Sequence, residues 1–210
     1  MTHEAIILAG GLGTRLREVV ENVPKCMAPV NNQPFIKYII DYLLKNNITR
    51  FIFSVGYKSE MIIDYITTNF PHINVEFCIE KEPLGTGGAI QLAMNYCNTN
   101  DILIINGDTY FDIPINDLYI EHNYNKSRVS IALKMMFNFD RYGVVKLNEQ
   151  HIITEFNEKK LYDVGLINGG IYIIHKPYLL SKHLPQKFSF EKDFLEKYFI
   201  ENTIYGFAFD

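Results

Sequence analysis

The chain has 210 residues, 48% of them hydrophobic, which is enough for one sizeable core near the upper size of a single compact domain. Its net charge of -4 excludes a broad basic surface for nucleic acid, so any phosphate must be held by locally placed Lys, Arg and backbone N–H groups. Three cysteines without metal-type spacing, a start (MTHEAIILAGG) without the length or basic flank of a signal peptide, and no apolar run of the ~18 residues that span a bilayer predict a cytoplasmic chain with no membrane partner.

The runs 4–9, 50–55, 74–79 and 101–106 are almost continuously apolar and predict strands buried on both faces of a parallel sheet. Between them, 34–46 carries Phe35, Ile39, Leu43 and Ile36, Ile40, Leu44 at helical spacing, with Pro34 suited to a first helical position. The segments 58–68 and 87–97 also read as helices. After residue 110 the pattern changes. Strands are predicted at 128–135, 142–147, 151–156 and 167–174, then a helix over 190–201 capped by Ser189, then a last strand at 204–209. The order predicts an α/β fold: a Rossmann-like three-layer α/β/α sandwich whose central sheet is mixed but mostly parallel. It is read as one domain over 1–210, whose two halves face a shared cleft beyond the carboxyl ends of the strands.

The stretch AGGLGTRL (9–16) leaves the first strand. It fails the dinucleotide pattern G-x-G-x-x-G, because position 16 is Leu, and the P-loop pattern matches nowhere. A tight turn would account for the glycines but not for Arg15. Backbone N–H groups free of side chains cradle phosphate oxygens, and an Arg fork adds paired charge-assisted bonds to them. Ten residues on, Pro24 gives Lys25 a rigid lead-in, and together with the turn Lys25 becomes a second cation for a polyphosphate.

LAGGLGTRL followed by PK resembles the signature of the sugar-1-phosphate nucleotidyltransferases. The resemblance implies that Leu8, Ala9, Gly10, Gly11, Gly13 and Thr14 wrap a nucleoside triphosphate, and that Arg15 and Lys25 bind its phosphates. It covers essentially the whole chain. EKEPLGTGGA (80–89) resembles the base-recognition loop, with Glu80, Pro83, Gly85 and Thr86 at the base. NGD (106–108) resembles the metal-binding strand end, where Gly107 lines the nucleotide and Asp108 would hold Mg²⁺. DRYGVV, FNEK and NGGIY resemble the sugar-phosphate side. There Gly143, Glu158, Lys159, Asn168 and Gly169 are implied to bind, Glu158 on hydroxyls and Lys159 on the phosphate. Gly169 and Gly170 also fit a strand bulge, and Glu158–Lys159 a solvated surface pair. Two departures from the family pattern, Cys26 in place of Pro after the Lys and REVV after TRL, mark a subgroup. GLINGGIY and FSFEKDFLE are similar to heptose-1-phosphate guanylyltransferases. The family usually carries a second metal-binding Asp near its C-terminus, in a pattern that would follow Asp210, so the expectation is either a short tail beyond the sequence given or the absence of that second carboxylate.

The implied reaction is Mg²⁺-dependent nucleotidyl transfer: a sugar-1-phosphate oxygen attacks the α-phosphorus and pyrophosphate leaves. Catalysis would fall to Arg15, Lys25 and Asp108, which offset repulsion between two polyanions. Glu80 leans the base towards guanine. A carboxylate only accepts, and guanine offers two adjacent donors, N1–H and the 2-amino group. The favoured partners are GTP and a heptose 1-phosphate, with the protein a monomer or homodimer. Uridylyl or thymidylyl transfer to a hexose 1-phosphate stays open, as does a nucleotide-binding regulator without catalysis.

Overall fold

The computed structural model describes residues 4–11 and 23–210. Gly13, Thr14 and Arg15 lie outside the described residues.

The first apolar run forms β1 (Glu4–Leu8), and a short hairpin follows, β2 (Pro29–Val30) and β3 (Gln33–Pro34). Then come α1 (Phe35–Lys45), β4 (Arg50–Val55), α2 (Ser59–Asn69), β5 (Asn74–Ile79), α3 (Gly85–Ala93) and β6 (Asp101–Asn106). The second half holds α4 (Ile115–Tyr124), β7 (Val129–Phe139), β8 (Val145–Leu147), β9 (Ile153–Phe156) and β10 (Tyr162–His175). It closes with α5 (Lys176–Leu180), a π-helical stretch Phe190–Leu195, α6 (Glu196–Tyr198) and β11 (Ile204–Phe209).

The main sheet runs β11-β7-β10-β6-β1-β4-β5. β6, β1, β4 and β5 pair in parallel, β10 is antiparallel to both β6 and β7, and β11 is parallel to β7. The expected mixed, mostly parallel sheet is therefore present. Its central strands carry Ala5, Ile6, Ile7, Phe51, Ile52, Phe53 and Ile104 with no exposed surface. Burial on both faces is why these strands read as unbroken apolar runs rather than alternating ones. One core lies under α1, α2 and α4, around Ile36, Ile40, Ile62, Ile66 and Leu118. The other lies under α3 and the segment 188–195, around Ile90, Phe190 and Phe194. The result is three layers. From β1 the chain moves outward to β4 and β5, then returns to place β6 on the other side of β1. That reversal opens a crevice at the carboxyl ends of β1 and β6, the usual ligand position in such sheets.

Several boundaries differ from the sequence expectation. Pro34 caps α1 from an extended conformation (φ -59°, ψ 137°) rather than opening its first turn. α3 starts earlier, at Gly85, and passes into a 3-10 turn at Met94–Tyr96. The strand predicted at 142–147 keeps only Val145–Leu147, whereas β7 and β10 run longer as a paired ribbon reaching Phe139 and Tyr162. Ser189 caps its helical segment as expected, its hydroxyl accepting from Lys192 N–H at 3.2 Å, although the segment continues as π-, α- and 3-10 turns. α4 went unassigned. Its buried Ile115, Leu118, Tyr119 and His122 do follow helical spacing, but polar residues dilute the stripe.

Candidate functional site: a cavity at the sheet switch point

The two strand ends that form the crevice are tied together. Gly107 N–H donates to Leu8 O at 3.0 Å, which brings the residue after it, Asp108, beside the exit of β1. Beyond Leu8, Ala9 N–H continues the ladder to Ser54 O at 2.8 Å. Gly10 then passes against the Glu80 carboxylate, where a Cβ would stand 2.4 Å from Oε1. A side chain at residue 10 would have to displace the Glu80 carboxylate.

Lys25 opens a 3-10 turn, Lys25–Met27, behind Pro24 (φ -58°, ψ 147°). Its Nζ lies 2.5 Å from Asp108 Oδ2. Thr109 donates its hydroxyl to Asp108 Oδ1 at 3.2 Å. The adjacent Cys26 is buried, and burial pushes its thiol up to about 12, so it is an uncharged wall. Cys78 and Cys97 are also free and buried.

Glu80 is fixed at both oxygens. Ser54 Oγ donates to Oε1 at 3.3 Å and Leu84 N–H donates to Oε2 at 3.1 Å. Burial raises its pKa above the usual carboxylate value, and the two hydrogen bonds oppose that rise. The loop that follows is clamped from outside by residues 186–191. Phe188 N–H donates to Leu84 O and Gly87 N–H to Phe188 O, both at 3.0 Å. Gly85 adopts φ +73°, and a Cβ there would stand 2.5 Å from Phe188 O. Thr86 Oγ accepts from Phe190 N–H at 2.9 Å and donates to Glu191 Oε2 at 2.8 Å. The Thr86 hydroxyl thus serves the loop's own architecture. This buttress was missed in the sequence, where 190–201 read as a helix capped by Ser189 and FSFEKDFLE only as a family resemblance. The signal was the run GTGG, small residues that leave room for a neighbouring chain.

These elements enclose a cavity of about 330 Å³. Leu8, Ala9, Gly10, Gly11, Lys25, Glu80, Pro83, Gly85, Thr86 and Asp108, drawn from separate motifs, all line it. Gly107 sits behind the wall it ties. Cys26, Ala89 and Asn106 line it too and were not singled out.

The five residues of the sugar-phosphate side do not line this cavity. Asn168 and Gly169 lie on β10, the strand beside β6, at a register shift between Asn168 and Tyr172 where Gly170 takes φ +76°. The bulge reading of the paired glycines is therefore correct. Gly169 packs against the Phe111 ring. Gly143 packs against the Asn157 carbonyl, and Asn157 N–H donates to Val144 O at 2.8 Å, so Gly143 and Glu158 are neighbours. Glu158 and Lys159 are exposed.

The family model for nucleotidyl transferases matches residues 4–209. The chain belongs to the nucleotidyl transferase family. It is 46% identical to a D-glycero-α-D-manno-heptose 1-phosphate guanylyltransferase of Aneurinibacillus thermoaerophilus, over 99% of this chain and 90% of the relative. It is 45% identical to a protein of the same name from Campylobacter jejuni, over 93% of this chain and 86% of that one. The crystal structure of HddC from Yersinia pseudotuberculosis superposes with a TM-score of 0.88 at 36% identity, covering 98% of this chain and 89% of that one. A second HddC structure, complexed with GMP-PN, superposes with a TM-score of 0.86.

In this nucleotidyl transferase, no group of three His, Cys, Asp or Glu side chains among the described residues is placed to cage a metal. Asp108 offers one carboxylate facing the cavity. That suits a hard cation such as Mg²⁺, which keeps its waters and takes one or two carboxylates together with substrate phosphates. No helix among the described residues is long and apolar enough to cross a membrane.

Proposed function

We propose that the protein transfers a guanylyl group from GTP to D-glycero-α-D-manno-heptose 1-phosphate, forming the GDP-heptose and pyrophosphate. One observation carries the reading: a single cavity is lined both by Glu80, an acceptor-only carboxylate, and by the Lys25–Asp108 pair. The first suits the N1–H and 2-amino donors of guanine, the second a metal-bound polyphosphate. The names of the relatives support the same sugar.

Glu80 accepts from the guanine edge, and Gly85 and Thr86 present backbone groups beside it. Gly10 and Gly11 leave room for the triphosphate. Lys25 turns from Asp108 to the phosphate oxygens, and Arg15 joins it there. Asp108, once released, is the residue that holds Mg²⁺. The bound cation supplies charge neutralisation for the two meeting polyanions and for the departing pyrophosphate. A heptose 1-phosphate oxygen forms the new bond to the α-phosphorus as the α–β bridge bond breaks, and the electron pair leaves on pyrophosphate. The nucleophile is already an anion, so no general base is required. Glu158 and Lys159 take the sugar hydroxyls and phosphate from one side, with Gly143, Asn168 and Gly169 completing that half. The setting is a soluble cytoplasmic pathway.

The test incubates the protein with Mg²⁺, each nucleoside triphosphate and a panel of sugar 1-phosphates, and measures pyrophosphate. Release confined to GTP with the manno-configured heptose is expected. Release with UTP or dTTP instead overturns the assignment of Glu80, and GTP binding without release from any pair overturns catalysis.

A further inference from the structure

Tyr172 is a large side chain with 1% of its surface exposed, and its hydroxyl meets a side-chain amide. Asn168 Nδ2 donates to Tyr172 Oη at 2.9 Å. The other end of the same amide is held as well, because Gly170 N–H donates to Asn168 Oδ1 at 2.9 Å. The bulge permits this arrangement. Gly170, at φ +76°, passes so close to Asn106 that a Cβ would stand 2.8 Å from Nδ2. Asn106 lines the cavity and immediately precedes Gly107 and Asp108. The ring of Tyr172 is anchored independently, edge-on to Phe190 with centroids 5.1 Å apart.

We propose that the Tyr172 hydroxyl is a positioning group that aims the Asn168 amide at the sugar phosphate. The physical reason is entropy. An exposed Asn amide is free to rotate between faces, whereas one pinned at both Oδ1 and Nδ2 keeps its second N–H in one direction. That leaves one donor aimed without an ordering cost on binding. Tyr172 itself touches no substrate. A phenol suits the task because its ring locks into the core while its oxygen accepts. The inference rests on the sugar-phosphate reading of Asn168.

The experiment compares wild type, Tyr172→Phe, Asn168→Ala and the double variant. Tyr172→Phe keeps the ring contact, so its melting temperature stays close to wild type. Its KM for heptose 1-phosphate rises about tenfold while its KM for GTP moves less than about twofold, the size expected for one lost orienting bond. In the Asn168→Ala background the same change adds nothing, because the group it aims is gone. In the free protein, the Asn168 side-chain amide resonances shift in Tyr172→Phe. An unchanged sugar-phosphate KM, equal rises in both KM values, or full additivity in the double variant overturns the proposal. A wild type that turns over no sugar phosphate overturns the proposed function instead. The amide resonances then decide the positioning role alone, and unshifted resonances overturn it.

Discussion

Lys25 and Asp108, 83 residues apart in sequence, meet at 2.5 Å in the wall of the cavity at the carboxyl ends of β1 and β6. In the proposed function each neutralises the other until substrate binds, and each would then take a separate partner: phosphate for the ammonium, metal for the carboxylate. Asp108→Asn therefore has opposite effects on two measurements. Turnover falls at least about a hundredfold, because metal-linked charge stabilisation is lost. Metal-free GTP binding tightens a few-fold by titration calorimetry, because Lys25 is released. Both side chains are more than a third exposed or close to it, so the melting temperature barely moves; such pairs contribute about 0–1 kcal/mol. Weaker metal-free binding in the variant would refute the competition.

Glu80 makes a pH prediction. Its pKa is raised by burial, partly countered by the Leu84 N–H and Ser54 hydroxyl. Guanine recognition needs the ionised, acceptor-only form, so GTP affinity weakens as the pH falls through that raised value. The onset lies above the ordinary carboxylate range. Glu80→Gln keeps the shape but supplies one acceptor and one donor. Loss of a charged hydrogen bond predicts about a 10- to 100-fold drop in GTP affinity at neutral pH. The difference between the two proteins should shrink on acidification, which separates the Glu80 effect from protonation of GTP itself. A difference independent of pH would remove Glu80 from base reading.

The sheet and the cavity lining were legible in the sequence, for a physical reason. Strands buried on two faces are forced into apolar runs, and close backbone approaches are forced into glycines such as Gly10. Neither constraint depends on distant partners. The buttress at 186–191 left only an indirect trace, the small residues of GTGG, because its hydrogen bonds to Leu84 and Gly87 are backbone bonds between segments far apart in sequence. The Lys25–Asp108 contact is equally non-local. α4 was missed because tertiary packing, more than its own polar-diluted pattern, holds it. The sugar side was legible only as motif fragments. Asn168 and Glu158 owe their placement to a bulge and to the loop between β9 and β10, and loop geometry leaves a weaker trace than a core.

Glu4 lies at the opposite end of β1 and bears on stability alone. Burial raises its pKa, but the Thr99 hydroxyl, the N–H groups of Thr99 and Asn98, and Arg50 together outweigh burial and leave it below the usual 4.5. A carboxylate lowered on folding contributes stability at neutral pH that is lost as pH falls from the unfolded value through the folded one. Glu4→Gln should cost about 2–3 kcal/mol at pH 7, measured by urea unfolding, since it leaves Arg50 short of its charge partner. The gap to wild type should narrow in the acid range with no change in GTP affinity. A constant gap down to low pH would show that packing, not charge, holds the position.

Gly85 and Gly11 both line the cavity, yet their replacement by alanine should separate stability from binding. At Gly85 the backbone is left-handed at φ +73°, and the new Cβ would stand 2.5 Å from Phe188 O. That carbonyl cannot withdraw without losing its bond from Gly87 N–H at 3.0 Å. Gly85→Ala should therefore cost about 1–3 kcal/mol and weaken GTP binding together, because the base loop and its buttress move as one. At Gly11 nothing stands within 4 Å of an added Cβ. Gly11→Ala should leave the melting temperature near wild type and reduce only GTP affinity, since the methyl fills space reserved for phosphate. Paired melts and GTP titrations decide the matter. A Gly11→Ala protein that binds GTP normally would move the triphosphate off the β1 exit, and with it the role assigned to Gly10 and Lys25.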